Sequence, residues 1–209
     1  MFKKVLFVSL LSLSLIANSA KAQNTPAKEM PSGIYNLDKT HASITWKVNH
    51  MGLSKYTARF TKMDATLDFN AKNPAKSKLT ATIDPTSVKT DYPDADKKDF
   101  DKELAEGEDW FNGKKFPEIK FEATKIEISG KNKGKIQGNL TFLGITKSII
   151  LNTTFNGAYL EMPYLKVPAL GFSATTTIKR SDFNWKSYAP MIGDEVDVLI
   201  EVEFRKEAN

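Results

Sequence analysis

Few residues of this chain can do chemistry, and their spacing narrows what they can do. Of the two histidines, His50 ends the stretch 40–50, in which Ile44, Trp46, Val48 and His50 share one parity and Thr45, Lys47 and Asn49 the other. A period of two makes one face of a strand apolar and the other wet, so an imidazole stands in phase with the greasy face. Arg180 does the same after Phe172, Ala174, Thr176 and Ile178. A cation and an imidazole at the rim of an apolar interior suit a ligand with an oily tail and an anionic or polar head. The competing readings are a buried His50 bonded to a backbone carbonyl and an Arg180 fixed as an ion pair with Asp182 or Asp194. His41 and His50 are an odd number of residues apart and point to opposite strand faces. With Asp38 they do not simply converge on an ion, and no metal site is expected.

Catalysis has little footing. The chain has no nucleophile elbow with a Ser-His-Asp order, no HExxH and no phosphate loop. It has no cysteine, which excludes thiol chemistry and a lipid-anchored form. Glu106 and Glu108 fall in a charged helical segment and read as solvated. No catalytic residue is assigned. The enzyme alternative is an isomerase or hydrolase acting on a held lipid, with His50 as base.

The elements that position these residues are strands. Tyr35 and Leu37 lead into the first, and Gly52 turns the chain. Tyr56, Ala58 and Phe60 alternate on even numbers, then Met63, Ala65, Leu67 and Phe69 on odd ones. The slip near Thr61–Lys62 predicts a bulge that bends one long strand. Alternation continues through Leu79–Ile83, Ile119–Ile128, Ile136–Phe142, Ile149–Phe155, Phe172–Arg180 and Val196–Phe204. Residues 94–107, rich in charge, read as a short surface helix stopped near Gly107, forming a lid of low local stability. Eight half-buried antiparallel strands with hairpin connections predict an all-β, up-and-down barrel with one short helical insertion over its mouth. A β-sandwich is the alternative. Counting strand directions puts His50, Arg180 and the insertion at one end, and the turn at 71–76, the lysine turn at 129–134 and the loop at 159–170 at the other. Trp46, Val48, Phe60, Leu67, Phe69, Phe121, Leu140, Phe142, Leu151, Phe172 and Ile178 are expected to line an apolar interior, with His50 and Arg180 at its mouth. About eight strands is the size at which a barrel either fills or keeps a small cavity.

Residues 1–22 have the form of an export signal. Lys3 and Lys4 precede an apolar run, and Ala20-Lys21-Ala22 offers a cleavage site before Gln23. Removing 22 residues from 209 leaves 187, enough for one domain over 34–206 behind a flexible lead-in over 23–33. The leader carries three lysines and no acid, so the 30 basic and 25 acidic residues become 27 and 25. That near-neutral balance is no nucleic-acid footprint.

Several motifs carry a resemblance. Asp38…His41-Ala42-Ser43-Ile44…His50, Asp109-Trp110-Phe111 followed by Phe116-Pro117-Glu118-Ile119-Lys120-Phe121, Leu143-Gly144-Ile145-Thr146, and Arg180-Ser181-Asp182-Phe183 before Asp194-Glu195-Val196 resemble the YceI family, in order and across residues 34–204. Ala42 departs from the family's usual serine, Ala58 and Asn184 from its usual glycines, and Glu103 from a common histidine. The resemblance implies a lipocalin-like barrel, exported to the periplasm, that carries a polyisoprenoid or similar amphiphilic lipid. It implies no cofactor beyond such a lipid or an isoprenoid quinone, and transient membrane contact. A monomer and a homodimer both fit. A structural or partner-binding protein using Tyr159, Tyr164 and Leu165 is the third reading.

Overall fold

The computed structural model describes residues 25–207; the export signal expected over residues 1–22 lies outside them. Strands β1 (Gly33–His50), β2 (Ser54–Phe60), β3 (Met63–Phe69), β4 (Lys78–Ile83), β5 (Val88–Lys89), β6 (Ile119–Ile128), β7 (Lys133–Phe142), β8 (Ile145–Tyr159), β9 (Ala169–Lys179) and β10 (Ile192–Arg205) are joined by one helix, α1 (Phe100–Glu106), and short 3₁₀ turns. All pairings are antiparallel: β6 to β10 follow one another around the ring, β4 bridges β3 and β6, the short β5 pairs only with β2, and β10 returns to β1. The barrel is closed and eight-stranded, because β2 and β3 are two halves of one wall strand. Both pair with β1, Ile44 opposite Phe60 and Gly33 opposite Phe69. At the break between them, the amides of Thr61 and Lys62 donate to Ser87 (3.1 Å to its carbonyl, 3.2 and 3.0 Å to its Oγ). The bend read from the parity slip is therefore present, held by a residue of the insertion. Among the described residues no helix is long and apolar enough to cross a membrane.

A second irregularity reverses the parity of β1. The five-residue advance from Leu37 to Ala42 is matched by an advance of only two along β10, from Phe204 to Val202, so odd-numbered Tyr35 and Leu37 and even-numbered Trp46 and Val48 are all buried. Asp38 holds this bulge. Fully buried, it accepts from the Thr40 amide (3.0 Å), Thr40 Oγ1 (2.6 Å), His41 Nδ1 (2.8 Å) and Arg205 (3.0 Å). Burial pushes its carboxyl up, but the bonds from Thr40 and His41 outweigh that and its pKa is lowered. The bond to Asp38 raises that of His41.

Two expectations are corrected. The lead-in is not loose over its described part. Met30 is 3% exposed and joins Tyr35, Leu67, Phe69 and Phe204 in a buried cluster at the lower end. The Tyr35 hydroxyl donates to the Pro31 carbonyl, and burial pushes its pKa up to about 12. Met30 is the apolar anchor that a polar, proline-bearing segment conceals. The helix is also shorter than 94–107. Asp94 has φ 62° and opens a turn, its carbonyl accepting from the Lys97 amide at 2.8 Å, and Asp99 starts the helix by accepting from the Lys102 amide at 2.9 Å. Nor is the insertion lightly seated. Leu104, Ala105 and Phe111 are 3–5% exposed and belong to the main core cluster.

Candidate functional site: an apolar cavity along the barrel

The inward faces of the strands do not meet. Between them runs a cavity of about 920 Å³, at the upper end of the range for small-molecule sites. At the ~30 Å³ that one water-sized group occupies, it accommodates on the order of thirty such groups. All eleven residues expected to line the interior do so, as do His50 and Arg180. The wall is built by the alternation itself, with the polar residues of the same strands outside. Phe121 shows how tightly its lining is set, because its ring lies against Gly138, where a Cβ would come within 2.3 Å.

The two candidate head-group residues part company. His50 is exposed at the mouth beside Met51 and Met191, which removes the buried-imidazole reading. Arg180 is 2% exposed and pairs with neither Asp182 nor Asp194. Its guanidinium donates to the carbonyls of Ser187 (2.6 Å), Ile192 and Gly193 (both 3.3 Å) and lies 4.3 Å over the Trp185 ring. Asp194 instead accepts from the Ser181 amide and hydroxyl, both at 2.7 Å. Burial lowers the pKa of Arg180 and Asp194 opposes it, yet guanidinium stays charged. The arginine thus organises the 180–193 connection, and one of its donors, Nε, has no partner among the described residues.

Trp46 Nε1 is in the same condition. The two donors flank one aromatic cluster: Trp46 meets Phe111 edge-on at 6.0 Å, Phe111 meets Trp185 at 5.5 Å, and Trp185 underlies Arg180. Trp110 extends the cluster outward, stacked on Tyr188 at 5.0 Å. Indole and guanidinium nitrogens donate only, and a buried donor without an acceptor costs ~1–3 kcal/mol. At the upper end of the barrel two fully buried donors therefore stand without acceptors, among apolar side chains. Sequence reasoning missed Trp185 and Tyr188, which lie in a connection with no periodicity. An aromatic pair shortly after a strand-end arginine was the available signal. Away from the cavity, Asp38, His41 and Glu203 come within ligating reach of one another, but the Asp38 oxygens already accept from Thr40, His41 and Arg205.

A YceI-like domain matches residues 35–204. The chain belongs to the YceI-like family. A UPF0312 protein of Photorhabdus laumondii is 34% identical over 206 residues, 97% of each chain. The crystal structure of the Campylobacter jejuni YCEI protein superposes with a TM-score of 0.66 at 30% identity, covering 78% of this chain and 91% of that one. A polyisoprenoid binding domain from Saccharophagus degradans shares the fold, with a TM-score of 0.64 at 12% identity over 85% of this chain and 100% of its own. Within the family's common barrel, this chain keeps its cavity walls apolar from the aromatic cluster down to Phe69 and Phe172.

Proposed function

We propose that the protein is a periplasmic carrier for a long-chain isoprenoid or similar amphiphile, holding the chain in the barrel and the polar end among Trp46, Trp185 and Arg180. The cavity carries this reading: its volume and apolar walls suit an extended hydrocarbon, and the indole and guanidinium side chains of Trp46, Trp185 and Arg180 in its lining suit a head with acceptor oxygens, an alcohol, carbonyl or quinone. Each methylene taken from water contributes ~0.8 kcal/mol, so a tail of about twenty carbons gains well over ten before ordering costs. The leader-like sequence at residues 1–22 supports export, and the fold shared with a polyisoprenoid binding domain supports the ligand class. His50, exposed at the mouth, has no side-chain hydrogen-bond partner among the described residues to orient it as a base, so binding is favoured over turnover. Organic extraction of the protein purified from the periplasm, followed by mass spectrometry, tests the reading. A stoichiometric long-chain lipid with an oxygenated head is expected; protein that carries none and takes up none from isoprenoid-loaded micelles refutes it.

A further inference from the structure

The two ends of the barrel differ in charge. The insertion at the upper end, residues 84–118, carries eleven acids against six lysines. The three connections at the lower end, 70–77, 129–135 and 160–168, carry six lysines and a single glutamate. Those lysines (Lys72, Lys76, Lys131, Lys133, Lys135 and Lys166) are all exposed, and among the described residues none pairs with a carboxylate. Exposed apolar side chains stand among them: Tyr164 is 98% exposed, Ile128 57%, and Leu160 and Leu165 49% each. Unpaired lysines interleaved with exposed apolar and aromatic groups are the composition of a surface that seats in a lipid headgroup layer. Lysine stems accommodate it, their ammonium ends reaching phosphate while their methylenes stay in apolar contact.

The same end has a parting in the wall. β4 and β6 exchange only four ladder pairs, Thr80–Glu122 to Ile83–Ile119, so β6 below Ala123 is paired on one side only. The lining of the cavity continues there to Pro74, Ser77, Ile126, Ile128 and Lys131–Lys135. The greasy interior thus reaches the basic end as well as the acidic mouth that the residues His50 and Arg180 mark.

We infer that the lower end of the barrel docks on an anionic phospholipid surface, Lys131, Lys133 and Lys135 meeting the phosphates and Tyr164 and Leu165 entering the headgroup layer, with the parting between β4 and β6 facing the bilayer. The acidic insertion at the opposite end orients the molecule, because it is repelled by the surface that attracts the lysines. Docking is read without any cargo, so it stands or falls independently of the isoprenoid.

The test is co-sedimentation of the processed protein with vesicles of phosphatidylcholine alone and of phosphatidylcholine mixed with phosphatidylglycerol. Binding is expected to the mixed vesicles only, and to weaken as salt shortens the screening length. Each lysine neutralised is expected to weaken it roughly five-fold, so Lys131→Gln/Lys133→Gln/Lys135→Gln loses about a hundred-fold. Tyr164→Ser/Leu165→Ser changes no charge and is expected to weaken binding as well. Lys97→Gln/Lys102→Gln/Lys115→Gln removes the same charge from the other end and is expected to leave it intact. All the substituted side chains are exposed, and melting curves confirm that each variant folds. No binding, equal binding to both vesicle types, or equal losses from the two lysine triples overturns the docking. Such a result alongside lipid recovered by extraction leaves the carrier reading standing.

Discussion

Leu140, near the upper end of β7, is 8% exposed and lines the cavity beside Phe121, its ladder partner. Leu140→Trp therefore separates a hollow barrel from a filled one. In a filled core the larger ring overpacks, costing ~1–3 kcal/mol, which for a domain of this size lowers Tm by roughly 2–12 °C. In the cavity described here the ring enters empty space, and the cargo-free protein should melt at or above the wild-type temperature. The ring then displaces tail instead. Forfeiting on the order of three methylenes at ~0.8 kcal/mol each gives ~2–3 kcal/mol, a thirty- to hundred-fold weaker Kd for a long-chain isoprenoid. Adding Leu151→Trp, lower on the same wall, should extend the effect until only short chains bind. The assay is paired: melt the delipidated variants, then titrate each with isoprenols of graded length by calorimetry. A Tm that falls while affinity for long chains is unchanged would refute the hollow-barrel argument.

Other outcomes follow from the same geometry. Arg180→Ala should cost ~3–5 kcal/mol in chemical denaturation, because three loop carbonyls lose a charged donor, and Arg180→Lys should recover little of it, since an ammonium cannot span them. Asp38→Ala should destabilise by ~2–4 kcal/mol through the orphaned Arg205 and Thr40 groups. The His41 pKa is raised by Asp38, so the stability this pair adds is full below about pH 6.5 and is lost as pH rises through the folded value. Asp38, whose pKa is lowered, loses its share as pH falls below about 4; Tm measured against pH should flatten on the alkaline side in His41→Gln. Amide exchange should divide the insertion, fast over 93–98 and slow over 104–111, where Leu104, Ala105 and Phe111 are buried. Uniformly fast exchange would restore a loose lid.

Alternation carried most of this fold because half-buried strands write their two faces directly into the chain. The inward residues from Trp46 to Ile178, the bend at Thr61–Lys62 and the end shared by His50, Arg180 and the insertion were all legible in that way. What stayed hidden depended on contacts without a period. Arg180 reads as cavity-facing by parity, yet its partners are carbonyls in a connection where nothing marks them. Ser87 holds the wall break from some 25 residues away, and one serine among many gives no sign of that. Met30 anchors the lower-end cluster from within a polar segment. The motif of Asp38 and His41 was visible, but only the reversed parity of Tyr35 and Leu37 against Ile44 hinted that it shapes a bulge rather than a site.

The seam of the barrel joins its first strand to its last. Ten register pairs link β1, which begins at Gly33, to β10, which ends at Arg205. Until residue 205 has been made, β1 has one free edge and β9 another, and no ring can close. Contacts this distant along the chain make for slow folding, and a chain cut before Ile192 would leave two bare strand edges ready to pair with another molecule. Closure waits for the fourteen residues of β10.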